Sequence, residues 1–352
     1  MAHCFLYTAN PARILFGPGS LSKIADEIRH LGCSNALVLS TPSRREDAEC
    51  LHRQLKGLGV GIFSEAAMHT PVAVTERAMA VYAELGADCI VTLGGGSAIG
   101  LGKAMAYRTH APQVVVATTY AGSEVTPILG QTENRIKTTI KHASVLPDVV
   151  IYDAELTLGL PVAISVASGL NAMAHAIEAL YSKNSNPITD LMALEGIRVL
   201  KIALPLIVEQ PYNLTARNNT LYGAWLCGTV LGTVGMALHH KICHTLGGSF
   251  DLSHAETHAV MLPHTAAYNA QDAKRALAPV TQLFDGELGS GLYDFAQLIG
   301  APLTLKELGL AESDLDRAAD LAVENAYWNP RPITREAVRE LLQHAWSGTR
   351  PT

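Results

Sequence analysis

Six of the fourteen histidines fall between His239 and His264, in the runs Leu238-His239-His240-Lys241-Ile242-Cys243-His244-Thr245-Leu246-Gly247-Gly248 and Ser253-His254-Ala255-Glu256-Thr257-His258. Imidazole exchanges a proton near neutral pH and also ligates metals, so such a cluster reads as acid–base or metal chemistry rather than packing. His240 and His244, four apart, share one helix face. Gly247 and Gly248 are expected to turn the chain so that His254 returns toward that face. Asn171 and His175 repeat the four-residue spacing on an earlier helix. Helix pairs that each offer one face can build a metal site in a bundle core. Asn171, however, supplies a neutral amide where a carboxylate would supply charge, so no residue is assigned as a metal ligand and a metal is not expected to be required.

A second chemical feature is Val91-Thr92-Leu93-Gly94-Gly95-Gly96-Ser97-Ala98-Ile99-Gly100-Leu101-Gly102-Lys103. It reads as a buried strand running into a triple glycine and a small-residue helix. Such a loop lets backbone amides approach a pyrophosphate at a helix N-terminus, where the dipole favours negative charge. Ala104 stands where a nucleotide-hydrolysing loop needs Ser or Thr for magnesium, and Ile99 where the G-x-G-x-x-G fingerprint needs its last glycine. ATP hydrolysis is therefore disfavoured. Thr118-Thr119-Tyr120-Ala121-Gly122-Ser123-Glu124 follows the next strand and falls at the carboxyl edge of the same sheet, where open α/β sheets bind ligands.

The elements that must position these groups follow from hydrophobic periodicity. Short runs of branched residues at 36–39, 60–63, 89–93, 114–117 and 149–152 alternate with amphipathic stretches at 44–58 and 74–85, which predicts βαβ units and a parallel sheet. The polar segment 132–145 predicts a hairpin or loop. Longer helical periods at 165–181, 188–203 and 217–237 take over beyond Leu160. The expected organisation is an α/β dinucleotide-binding domain over residues 1–157 and an all-α catalytic domain over 158–352.

Composition bounds the function. Hydrophobic residues make up 48% and charged residues 16% of 352, with 26 Lys and Arg against 32 Asp and Glu. A net charge of -6 without a basic cluster excludes a nucleic-acid footprint and leaves a small molecule as the expected partner. No basic start leads into an apolar run, and no stretch reaches the roughly 20 apolar residues that span a bilayer, so a cytoplasmic protein without membrane contact is expected. The six cysteines show no C-x-x-C spacing, and buried reduced thiols are expected rather than a disulfide framework.

The Gly94 loop and the Asn171, His175, His240, His244 and His254 pattern together resemble the iron-containing alcohol dehydrogenase superfamily over nearly the whole chain. That superfamily typically has an aspartate in the helix after its Gly-Gly-Gly-Ser, and an aspartate, a histidine four later and two further histidines as metal ligands. Here Gly100 replaces the first aspartate and Asn171 the second. These departures, with Met68-His69-Thr70-Pro71, Thr119-Tyr120-Ala121-Gly122-Ser123-Glu124, Lys137-Thr138-Thr139 and Asn329-Pro330-Arg331-Pro332, are similar to the maleylacetate reductase branch.

The resemblance implies the fold shared with dehydroquinate synthase, a homodimer, and reduction of 2-maleylacetate to 3-oxoadipate by NADH or NADPH in the bacterial breakdown of aromatic compounds. It implies that Gly94, Gly95, Gly96 and Ser97 take the pyrophosphate, that Thr118 and Thr119 lie by the adenine or phosphates, and that Lys137 reaches the nicotinamide ribose. Members restricted to NAD often carry an acidic residue at the end of the 36–39 strand, whereas Ser40 and Thr41 leave room for the 2′-phosphate of NADPH.

Hydride arriving at the alkene carbon β to the ketone pushes charge onto the ketone oxygen, which calls for a donor there and a proton for the α carbon. His244 and His240 are expected as enolate stabiliser and proton source, with His175 and His254 completing a polar wall and Asn171 donating an amide hydrogen bond. Lys241, Arg331 and His69 are candidates for the substrate carboxylates, Arg331 through its bidentate fork. The alternatives are a metal-dependent alcohol dehydrogenase of the same superfamily, a carbon–oxygen lyase similar to dehydroquinate synthase, and a cofactor-binding protein without activity.

Overall fold

The computed structural model describes residues 5–10, 12–133 and 136–352, without the side chains of residues 136 and 137. The chain forms two compact units. One is Ala9–Leu160, and the other is Pro161–Thr352 together with residues 5–8 of the N-terminal segment. The division expected from the sequence lay at 157/158, with the N-terminal segment in the α/β half.

In the α/β unit the branched runs fold as parallel strands, and those at 36–39, 89–93, 114–117 and 149–152 are fully buried, because a sheet covered on both faces needs apolar side chains at every position, whereas the 60–63 run forms a mostly half-buried edge strand. The strands are β1 (Arg13–Phe16), β2 (Ala36–Leu39), β3 (Gly59–Phe63), β4 (Cys89–Gly94), β5 (Gln113–Ala117) and β8 (Val149–Tyr152), in the order β1-β8-β5-β4-β2-β3. Successive side chains alternate between faces. Ala36, Val38, Val91, Val114 and Val116 pack with Ile24 and Ile28 of α1 (Ile24–His30) and Leu51 of α2 (Arg45–Gln54). Leu37, Leu39 and Ile90 pack with Ala78 of α3 (Val72–Glu84) and Ala98, Leu101 and Met105 of α4 (Gly96–Thr109). Each fully buried Leu, Ile or Val contributes roughly 1.5–3 kcal/mol relative to exposure. The first part of the polar 132–145 segment belongs to an antiparallel hairpin of β6 (Ile128–Glu133) and β7 (Ile136–Lys141), and its end forms a short 3-10 turn at Ala143–Val145.

The helical unit is built on α5 (Val162–Leu180), which packs against α6 (Pro187–Glu209), α7 (Leu214–Thr233) and α9 (His254–Asn269). By length and composition α5 could cross a bilayer. Its residues from Ser165 to Leu180 are all buried inside this unit, so its apolarity serves the bundle core. α8 (Leu238–Phe250) packs on α9, followed by α10 (Lys274–Leu283), α11 (Leu288–Leu298), α12 (Leu315–Val323) and α13 (Arg335–Ser347). The expected turn at Gly247 and Gly248 does not occur there. Helix α8 continues through both glycines to Phe250, and Asp251 in the left-handed conformation (φ 56°) ends it. The reversal that starts α9 at His254 is thus made three residues later than expected.

Four free cysteines, Cys33, Cys89, Cys227 and Cys243, are buried and Cys50 is exposed; Cys4 lies outside the described residues.

Candidate active site

In the α/β unit, strand order decides where a ligand goes. The chain runs from β2 to β3 in one direction along the sheet, then crosses to β4 on the other side of β2, so the carboxyl ends of β2 and β4 flank a topological switch point. Gly94 closes β4, Gly95 caps α4 and Gly96 begins it. A β-carbon on Gly95 would lie 2.6 Å from Thr119 Oγ1, whereas one on Gly96 would meet nothing within 4 Å. The loop is therefore packed on its Thr119 side and open at the helix N-terminus, where half-buried Ser97 also lies. Thr118 is fully buried and its Oγ1 has no hydrogen-bond partner among the described residues. Thr41 caps the turn after β2, its Oγ1 3.1 Å from Ser43 Oγ. The Lys137 side chain lies outside the described residues.

Gly100 has a local cause, since a β-carbon there would collide with Thr70 Oγ1. His69 and Thr70 both hold left-handed backbone (φ 62° and 48°), and Thr70 O accepts from the Thr132 N–H. Consecutive non-glycine residues in that region carry strain of about 1–3 kcal/mol each, held here by the hairpin. His69 belongs to this unit and is half-buried.

In the helical unit the structure gathers His175 from α5, His240 and His244 from α8, and His254 from α9. Ring centroids are 5.0 Å apart for His175 and His240, 5.9 Å for His240 and His244, and 6.3 Å for His244 and His254. Asn171 is buried one turn before His175, its Oδ1 without a hydrogen-bond partner among the described residues. Glu178, one turn after His175 and 1% exposed, was not singled out from the sequence. Its carboxylate accepts from the Ala237 and His239 N–H groups at 2.9 and 2.8 Å and from His240 Nδ1 at 2.6 Å. It thus satisfies the open N-terminus of α8 and fixes the His240 tautomer, leaving Nε2 of His240 2.9 Å from His175 Nδ1. A second chain lies beside the first. Thr265 Oγ1 donates to Met261 O and accepts from His239 Nδ1 at 2.8 Å, and His239 Nε2 lies 2.9 Å from His258 Nδ1. Burial, reinforced by the neighbouring imidazoles, pushes both His239 and His258 well below the usual histidine value, so this chain stays neutral. His258 Nε2 is buried without a hydrogen-bond partner among the described residues.

His239 and His258 lay inside the histidine runs but were not assigned roles; the four-residue spacing of His254 and His258 was the available signal. For Glu178 the signal was its place three residues after His175 on the Asn171 face.

Lys241 is half-buried, its ammonium pulled down by burial against the raising influence of Glu324. Arg331 is exposed and its guanidinium stacks 4.0 Å from the Tyr268 ring centroid while donating to Tyr268 O.

The two halves of the chain match family models described as iron-containing alcohol dehydrogenase, over residues 11–154, and as the C-terminal part of that family, over residues 165–346. The chain belongs to the iron-containing alcohol dehydrogenase family. Within it, the chain belongs with the maleylacetate reductases. It is 61% identical to maleylacetate reductase of Rhizobium sp. (strain MTP-10005), covering 99% of both chains, and 49% identical to that of Burkholderia cepacia, covering 99% of this chain and 100% of the other. It superimposes on the crystal structure of maleylacetate reductase from Agrobacterium tumefaciens with a TM-score of 0.96 at 61% identity, covering 99% and 100% of the two chains.

The family's description names iron. A metal ion needs several lone pairs directed at one point. A hydrogen bond joins His175 Nδ1 to His240 Nε2, so one of these nitrogens carries a proton and at most one offers a lone pair. His239, Cys243 and His258 stand close enough to share an ion, yet His239 and His258 are joined in the same way. The carboxylate of the cluster, Glu178, faces three N–H donors, and Asn171 adds no charge. These hydrogen bonds engage the carboxylate and several of the lone pairs of the cluster, while Asn171 Oδ1 and His258 Nε2 remain as neutral acceptors with no hydrogen-bond partner among the described residues.

Proposed function

We propose that the chain reduces the carbon–carbon double bond of 2-maleylacetate to give 3-oxoadipate, with NADH or NADPH as hydride donor, in the bacterial breakdown of aromatic compounds. The observation that carries this reading is the Glu178–His240–His175 chain beside His244. It is a proton-bearing relay backed by a buried carboxylate, in a protein whose full-length relatives are named for that reduction.

Held by the Gly94 loop, a reduced nicotinamide cofactor would supply hydride to the alkene carbon β to the ketone, which would place negative charge on the ketone oxygen as an enolate. A hydrogen-bond donor held at that oxygen stabilises the charge as it forms, and His244 takes this part. The enolate collapses when the α carbon receives a proton. The Glu178–His240–His175 chain supplies it, because the Glu178 carboxylate stabilises an extra proton shared by the two imidazoles. His254 and Asn171 complete the polar wall. The products are the saturated keto-diacid and the oxidised cofactor, and no step requires a metal. The Gly94 loop, Thr118 and Thr119 hold the dinucleotide, and Thr41, neutral at the β2 end, admits either NADH or NADPH. Lys241 and His69 are offered to the substrate carboxylates. A homodimer in the cytoplasm completes the reading, checked by sedimentation and cell fractionation.

The test is loss of NADH or NADPH absorbance with fresh maleylacetate, before and after exhaustive chelation, with an aliphatic aldehyde as control. Turnover of maleylacetate that survives chelation is expected. Turnover of the aldehyde alone, lost with the metal, would overturn the proposal in favour of a metal-dependent alcohol dehydrogenase.

A further inference from the structure

The Asn329-Pro330-Arg331-Pro332 motif is not absorbed by the chemistry above, and its contacts give it another task. Asn329 and Asn269, near the end of α9, form a reciprocal amide pair, with Asn269 Nδ2 donating to Asn329 Oδ1 at 3.0 Å and Asn329 Nδ2 donating to Asn269 Oδ1 at 2.6 Å. Asn329 Oδ1 also accepts from the Leu238 N–H at the start of α8, and its Nδ2 donates to Arg331 O. Tyr268 OH donates to Pro332 O at 2.6 Å, under the stacked Arg331 guanidinium. Two prolines limit the backbone between these anchors. The segment 324–334 between α12 and α13 is thus pinned to the ends of the two helices that carry His240, His244 and His254.

What this strap presents is Tyr327, whose hydroxyl lies 3.3 Å from His244 Nδ1, the two rings edge to face at 6.3 Å. Next to it, Trp328 is braced by Lys183, whose Nζ lies 5.3 Å from the ring centroid. We infer that Tyr327 is a positioning residue for His244: its O–H donates to Nδ1 and so holds the imidazole in the neutral form that carries its proton on Nε2. A phenol is the better donor and an imidazole nitrogen the better acceptor of this pair. Burial and the Glu178 carboxylate raise the Tyr327 phenol above its ordinary value, which keeps its proton in place. With Nδ1 occupied as an acceptor, Nε2–H is the donor His244 can offer to an oxygen that gains charge. This inference rests on the reductase reading for its chemistry, whereas the dyad itself rests on the contacts alone.

The experiment uses the full chain labelled with ¹⁵N-histidine, the His244 signals being assigned by their loss in His244→Gln. Wild type is expected to show His244 protonated at Nε2. Tyr327→Phe, which removes one oxygen from a residue 38% exposed, is expected to shift the population toward Nδ1–H and to lower kcat about tenfold, the worth of one hydrogen bond, with cofactor affinity unchanged. Asn329→Ala frees the strap and is expected to scramble the tautomer in the same direction. An unchanged His244 spectrum in both variants would overturn the inference. Absence of maleylacetate turnover in wild type, with the tautomer still responding to Tyr327→Phe, would sink the reductase reading and leave the dyad standing.

Discussion

The two units place polar chemistry in opposite ways. In the α/β unit the polar groups beyond the strand ends are backbone amides at the Gly94 loop and buried atoms with no hydrogen-bond partner among the described residues, such as Thr118 Oγ1 and Glu124 Oε2. In the helical unit most of the chemistry is tied into closed chains of side chains, ending in Glu178 on one branch and Thr265 on the other. An open backbone site tolerates substitutions that keep its shape. A closed network loses its function when one member is removed, because the remaining members are buried without partners. On the proposed function the first unit binds and the second moves protons, and damage to either should be separable.

The largest separation is expected from Glu178→Gln and His240→Ala. Turnover should fall by about two to three orders of magnitude, the usual worth of a positioned acid–base group, while fluorescence titration shows the affinity for reduced cofactor unchanged. An equal loss in both quantities would mean that the two units do not divide the work in this way.

Acid should also distinguish the units, with opposite signs. His264 is buried and its folded value is lowered from 6.5 to about 4, first by burial and then by His344; burial and the neighbouring imidazoles lower His239 and His258 as well. A depressed imidazole binds fewer protons folded than unfolded between those values, so stability is complete above pH 6.5 and declines as pH falls toward 4. For His264 alone the loss is about 3 kcal/mol. In the α/β unit, Glu124 is raised by burial, so it binds more protons folded than unfolded, and acidification relieves its cost. Hydrogen exchange across pH 7 to 4 should find the helical unit opening first, and simultaneous opening would remove the histidines as its cause.

Gly95→Ala tests the other side. Its β-carbon meets Thr119 at 2.6 Å, so either the loop or Thr119 must shift. Cofactor affinity is expected to fall about tenfold, or roughly 1.4 kcal/mol, with the acid transition of the helical unit unmoved.

Much of this division could be read before the structure, for physical reasons that also explain the failures. The 36–39 and 149–152 runs are apolar at every position because both sheet faces are covered, and they fold as β2 and β8. β1 escaped notice because it is a short edge strand, not fully buried, and pairs with β8 far along the chain. The departure at Gly100 was visible, but its cause, Thr70 against the helix, depends on a strained turn that no local pattern announces. The histidine density pointed to the cluster, whereas Glu178 acquires its part only when the α8 N-terminus is laid against α5. Tyr327 lies too far along the chain from His244 for any spacing rule to connect them. Motifs that act through the backbone are legible as strings; networks are legible only as contacts.

Arg331 gives the smallest expected effect. From the sequence it was a candidate clamp for a substrate carboxylate, on the strength of its planar fork. The structure spends one face of that fork on Tyr268 and one N–H on Tyr268 O, which makes the residue part of the anchor of the 324–334 strap. Arg331→Ala should then cost roughly 0.5–1 kcal/mol, the worth of an exposed cation–aromatic stack, visible as a small drop in thermal stability and a severalfold loss in kcat with KM for the dicarboxylate nearly constant. A direct grip on a carboxylate behaves differently: losing a charge-assisted pair weakens binding itself. A large rise in KM with unchanged stability would restore Arg331 to the substrate and extend the binding function, now assigned mainly to the α/β unit, into the helical one.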